Sequence, residues 1–147
     1  MIDFGPVFFI VGLLLTFLAV AMCVPAAVDL ATEHPDWQVF LGAAGITLFI
    51  GVSMMLATRT VRGAKLGLRQ AFVLTTMSWV AIAAFGALPF AFSELDMSAA
   101  DAFFESMSGV TTTGATVIDN LDAAPPGILL WRALLQWLGG IGIIVMA

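Results

Sequence analysis

The stretch Asp101–Thr116, DAFFESMSGVTTTGAT, decides how the rest of this chain is read. It opens as a short amphipathic segment, turns at Ser108-Gly109, and continues as Val110-Thr111-Thr112-Thr113-Gly114. Apolar runs of membrane length lie on both sides of it. A polar, hydroxyl-rich backbone cannot cross lipid, because its N–H and C=O groups would go unpaired there. It is tolerated at membrane depth only where protein surrounds it or where it lines an aqueous path. A short helix followed by an extended Thr/Gly strand between two spanning helices is how a cation-selective pore loop is built. A plain interhelical loop is the alternative on residue types alone.

Moving outward, the composition agrees with a membrane setting. Only 10% of the 147 residues are charged and 61% are hydrophobic, against about 25% charged in soluble domains. Phe4 to Val28 carries no charge, enough to span a hydrocarbon core of about 30 Å. A signal peptide is the competing reading, but the N-terminus has Asp3 and no Lys or Arg, and the run exceeds an ordinary signal core. Pro6 suits a first helical turn, and Pro25 is expected to kink or end the helix. Trp37 to Thr58 makes a second span with Trp37 at the interface, and Gln70 to Ser93 a third, breaking near Pro89. A last apolar run starts at Ile128. The fold class is therefore an all-α integral membrane protein: an N-terminal helical hairpin, 1–60, followed by one helix–pore loop–helix unit, 61–147.

Arg59, Arg62, Lys65 and Arg69 are four of the chain's five basic residues. Short loops rich in Lys and Arg stay cytoplasmic, so this cluster and the N-terminus face inward. The acidic segments 29–36 and 94–127 then face outward. The basic cluster also suits contact with anionic lipid.

Cys23 is the only cysteine, so no intrachain disulfide forms, and its apolar surroundings suggest a small buried hydrophobe. His34 is the only histidine and is expected to be solvated in a polar loop. No metal-ligand cluster, nucleophile–base pair or cofactor motif is present in the sequence, which leaves a membrane enzyme weakly supported. Nothing points to nucleic acid.

Met97 to Met107 reads as a short helix capped by Ser98 and Asp101. Ala102, Phe103 and Met107 are expected to pack inward, with Glu105 directed elsewhere, and Gly109 to end the helix in a left-handed conformation. The partially negative C-terminus of that helix would favour a cation just beyond it. Arg132, about one turn into the last span, either snorkels to the outer interface or pairs with Glu105 behind the pore loop. Gly139, Gly140 and Gly142 allow close helix approach or a bend.

The string FFESMSGVTTTGATV, followed by LLWRALLQWLGGIGIIVMA, resembles the first pore repeat of the Trk/Ktr family of potassium uptake proteins, in its TrkH branch. That resemblance implies potassium transport through four such repeats around one path, with Val110, Thr111, Thr112, Thr113 and Gly114 supplying one quarter of a selectivity filter. Potassium is then the substrate, and no cofactor is implied in this chain. Related plant transporters that favour sodium tend to carry serine at the position matching Gly114, so its glycine points to potassium. The resemblance further implies the remaining pore repeats as partners, a cytosolic nucleotide-binding regulatory subunit, membrane lipid around the chain, and a bacterial inner membrane location. One repeat cannot enclose a pore. The chain is therefore expected to be the N-terminal portion of a longer transporter, with assembly of four copies as the other route. A non-transporting membrane scaffold, in which TTTG is only a loop, is the alternative function.

Overall fold

A computed structural model describes residues 4–59 and 67–146. Two consecutive long helices form the hairpin: α1, Gly5–Ala31, and α2, Trp37–Ala57. Then come α3, Leu68–Gly86, and the single-turn continuation α4, Leu88–Phe92. The pore-loop segment supplies the short helix α5, Ala99–Val110, and the chain finishes in α6, Pro126–Met146. No strand occurs among the described residues. Gly5–Ala31, Trp37–Ala57 and Leu68–Phe92 are each long and apolar enough to cross a membrane. Arg62 and Lys65, the middle of the basic cluster, and Asp3 lie outside the described residues.

Several local expectations change on folding. The first helix continues through Pro25 to Ala31. It ends where Glu33 takes a left-handed φ of 58° and the His34 N–H bonds the Asp29 carbonyl. The third span does break near Pro89 as expected, at Ala87, because a proline is accepted in the first turn of the helix it opens. Cys23 is exposed on α1, not buried, with its thiol turned toward the Ala19 carbonyl at 3.8 Å. His34 is only partly exposed. It sits between the carboxylates of Asp36, at 4.0 Å, and Glu94, at 3.8 Å.

The helices pack where side chains are small. On α1 and α2 the backbones meet at Gly12 and Gly51: a Cβ on Gly12 would stand 2.7 Å from the Gly51 carbonyl oxygen. One apolar core joins hairpin and repeat, running from Val7, Leu15 and Met22 through Phe40 and Phe90 to Trp131 and Leu135. Phe40 of α2 meets Trp131 of α6 edge to face, with centroids 6.2 Å apart, a geometry favoured by the ring quadrupoles. Trp131 Nε1 donates to the Gly86 carbonyl at 2.9 Å, so its one polar atom is satisfied at the α3–α4 break. Asp29, fully buried at the end of α1, accepts from the Gly127 N–H in the first turn of α6 at 2.6 Å. That contact uses an orphan donor of the helix N-terminus and its positive dipole end.

Candidate functional site at the end of helix α5

Ser98 caps α5 as its sequence indicates. Its Oγ accepts the Asp101 N–H at 3.1 Å and donates to the Asp101 carboxylate at 2.7 Å. The rotational setting of the helix differs from expectation. Ala102 is buried, but so is Glu105, at 1% exposure, whereas Phe103 is 37% exposed. Glu105 turns inward because three donors meet it there. Arg132 Nε donates to Oε1, while Thr116 Oγ1, at 3.1 Å, and the Val117 N–H, at 3.0 Å, donate to Oε2. The pairing reading of Arg132 is thus the one the fold adopts. The carboxylate ties the far limb of the loop to both α5 and α6.

Gly109 does not end the helix. It is helical and buried, with its missing Cβ leaving room for Leu135 of α6 at 3.1 Å. The helix runs on to Val110, so Val110–Gly114 is not one extended strand. The chain reverses at Thr112, whose φ is 59°, and again takes positive φ at Gly114, 78°. A left-handed β-branched residue is costly and is found where function or tight surroundings require it. Only the tertiary context signals Thr112, since a glycine one position from a turn is the usual sequence mark.

The hydrogen bonds of this turn fix where its carbonyls point. The N–H groups of Thr111, Thr112, Thr113 and Gly114 donate back to Met107, Gly109, Ser108 and Ser108, at 2.9, 2.9, 3.0 and 3.4 Å. No peptide here is cis. In a trans peptide the carbonyl of one residue points opposite to the N–H of the next. The carbonyls of Val110, Thr111, Thr112 and Thr113 therefore face away from α5. Val110's lies against α6, where a Cβ on Gly139 would overlap it. Among the described residues, the carbonyls of Thr111, Thr112, Thr113 and Gly114 accept no hydrogen bond. The threonine hydroxyls brace the turn: Thr111 Oγ1 donates to the Met107 carbonyl at 2.8 Å and lies 2.8 Å from Thr113 Oγ1. Ser108 Oγ donates to the Ala115 carbonyl at 2.6 Å. Residues 111–116 are exposed on their open side.

The turn stands well along α6 from its first residue. Gly139, under Val110, is about 20 Å along α6 from Pro126 at ~1.5 Å per residue. No group of His, Cys, Asp and Glu able to hold a metal ion occurs among the described residues. The oxygens offered at the site are backbone and hydroxyl oxygens, ligands suited to a hard monovalent cation that sheds its water.

Fold and site together define an all-α membrane protein with a short helix and loop packed between longer helices. The chain belongs to the TrkH family, described as cation transport proteins, whose profile matches residues 38–147. It is 42% identical to the Trk system potassium uptake protein TrkH of Halomonas elongata over 94% of this chain and 29% of that protein. To the Escherichia coli K12 protein of the same name it is 41% identical, with the same coverage. The crystal structure of the potassium transporter TrkH from Vibrio parahaemolyticus superposes with a TM-score of 0.93 at 39% identity, covering 99% of this chain and 31% of that one. These relatives are transporters, not enzymes. The chain spans a little under a third of the length of the proteins it matches.

Proposed function

We propose that this chain forms one quarter of a potassium selectivity filter within a potassium uptake transporter. The filter oxygens are those of Thr111, Thr112, Thr113 and Gly114, with Val110 as the anchor beneath them. The observation that carries the reading is the row of Thr111, Thr112 and Thr113 carbonyls directed away from α5 with no donor to receive; Gly114, whose carbonyl is likewise without a donor, continues the row. Unpaired carbonyls are costly in a medium without water. A potassium ion replaces the missing donors, and the ion in turn regains oxygens for those of its hydration shell. Val110 departs from the sequence expectation because its carbonyl is turned against α6.

The remaining quarters come from further repeats, in the same polypeptide or in other copies, since one turn cannot encircle an ion. The relatives' names as potassium uptake proteins support potassium as the substrate. The proposal places the chain in a bacterial inner membrane with its N-terminus cytoplasmic, on the strength of the 59–69 basic cluster. A cytosolic nucleotide-binding subunit acting on the transporter remains part of the proposal through the family resemblance.

The test substitutes Gly114 in a complete transporter, with this chain replacing the matching segment of the Vibrio parahaemolyticus protein. A Cβ at Gly114 meets nothing within 4 Å, so serine is not excluded by space. It is strained by its φ of 78°, at about 1–2 kcal/mol for a left-handed L-residue. Relief of that strain shifts the adjacent carbonyls. Gly114→Ser is expected to lower the potassium-to-sodium uptake ratio about tenfold, equivalent to ~1.4 kcal/mol, with a smaller loss of total flux. An unchanged ratio would remove this turn from the filter and favour the scaffold reading.

A further inference from the structure

We infer that Gly139 and Gly140 of α6 form the seat on which the filter rests, making α6 a specificity-determining element; this builds on the filter reading above. In the sequence the three glycines 139, 140 and 142 are equivalent small residues. In the fold they are not. A Cβ at Gly139 would overlap the Val110 carbonyl oxygen and stand 2.7 Å from its carbon and 3.0 Å from its Cα. Those are backbone atoms, which cannot swing aside as a side chain can. At Gly140 a Cβ would touch the Thr112 methyl at 3.9 Å, an ordinary contact, and at Gly142 it would meet nothing within 4 Å. The two contacts fall on the residue that ends α5 and on the left-handed residue that turns its carbonyls outward.

Movement at this seat passes directly to the filter. Val110's peptide precedes the Thr111 N–H, and the N–H groups of Thr111 to Gly114 are tied to Met107, Ser108 and Gly109. Shifting the end of α5 therefore carries all four residues as a unit. The displacement also has somewhere to go. An apolar cavity of about 260 Å³ adjoins Val110 and Gly139, lined further by Leu18, Ser78, Ile82 and Leu138. Overpacking that can relax into a void moves atoms instead of unfolding the protein. Gly139 and Gly140 are thus positioning residues: they touch no ion, but they set where the carbonyls stand.

The experiment uses the same complete transporter, with paired potassium and sodium uptake at matched membrane abundance. Gly139→Ala is expected to reduce the potassium-to-sodium ratio about tenfold, and Gly142→Ala to leave it unchanged. A purely structural glycine would lower both fluxes together with a constant ratio, and that result would overturn the inference. If Gly139→Ala does not accumulate, Gly140→Val decides. Its added methyls press on Thr112, and the ratio must again fall for the inference to stand. Gly114→Ser, run in parallel, separates the two levels. A ratio that moves with Gly114→Ser but with neither seat variant rejects the seat alone, whereas no movement in any variant rejects the filter reading.

Discussion

Arg132→Ala, Glu105→Ala and the double change make a cycle whose size follows from the geometry of one carboxylate. The Glu105 side chain is 0% exposed and that of Arg132 12%. With Arg132 gone, a buried charge is left to the Thr116 hydroxyl and the Val117 N–H. Breaking a buried pair in this way costs about 3–5 kcal/mol. Because Arg132 is not wholly shielded, we place the loss near 3 kcal/mol, the lower end of that range. Glu105→Ala loses both loop bonds, about 1 kcal/mol each, and a filled volume, while the freed guanidinium turns to solvent. Its loss is of the same order. The double change removes the pair and its penalty together, so it should cost no more than either single change, which makes the coupling about 3 kcal/mol. Thermal unfolding of the four proteins in the same detergent, read beside potassium uptake, gives both numbers. Additive losses, with coupling under about 0.5 kcal/mol, would refute the brace and return Arg132 to a snorkelling role.

Two other predictions concern the outer loops and the orientation. Burial pushes the Asp36 carboxyl above its ordinary range; His34 and the Glu94 backbone N–H oppose the rise, while the Glu94 and Asp29 charges add to it. A raised folded-state value means that the native state holds the proton more tightly, so this contribution to stability is complete at acid pH. It is lost as pH rises through the folded-state value. Asp36→Asn should therefore raise the melting temperature at neutral pH, and the gain should vanish near pH 3–4, around the unfolded-state value; a gain that persists there would contradict the assignment. For orientation, single cysteines in a Cys23-free background should react with an impermeant external reagent at positions 96 and 122 but not at 65. Asp96 and Asp122 are both exposed, so protection at these two sites with reaction at 65 would invert the topology.

The sequence by itself determined the class and the first three spans. Uncharged runs of helical length between charged loops leave few alternatives, because lipid admits no unpaired backbone and little charge. Ser98 with Asp101 announced the start of α5 for a similarly local reason: a cap is made within one turn. Where the pattern is local, residues and structure agree. Tertiary packing decided the rest. Gly109 looked like a helix terminator, but Leu135 needs its missing Cβ, so the helix continues and the reversal falls on Thr112. Glu105 is expected from the residues to point away from the inward face of α5, with pairing to Arg132 one of two open readings, but Arg132, Thr116 and Val117 meet it from distant positions in the chain. The three glycines of α6 separate only when Val110 and Thr112 arrive above two of them. Each of these depends on which atoms approach from elsewhere in the chain, and propensity carries no record of that approach. The carbonyls of the turn after α5 are the clearest instance. For Val110 to Thr113 their direction follows from four N–H groups captured by the end of the preceding helix, a pattern that the letters TTTG do not contain.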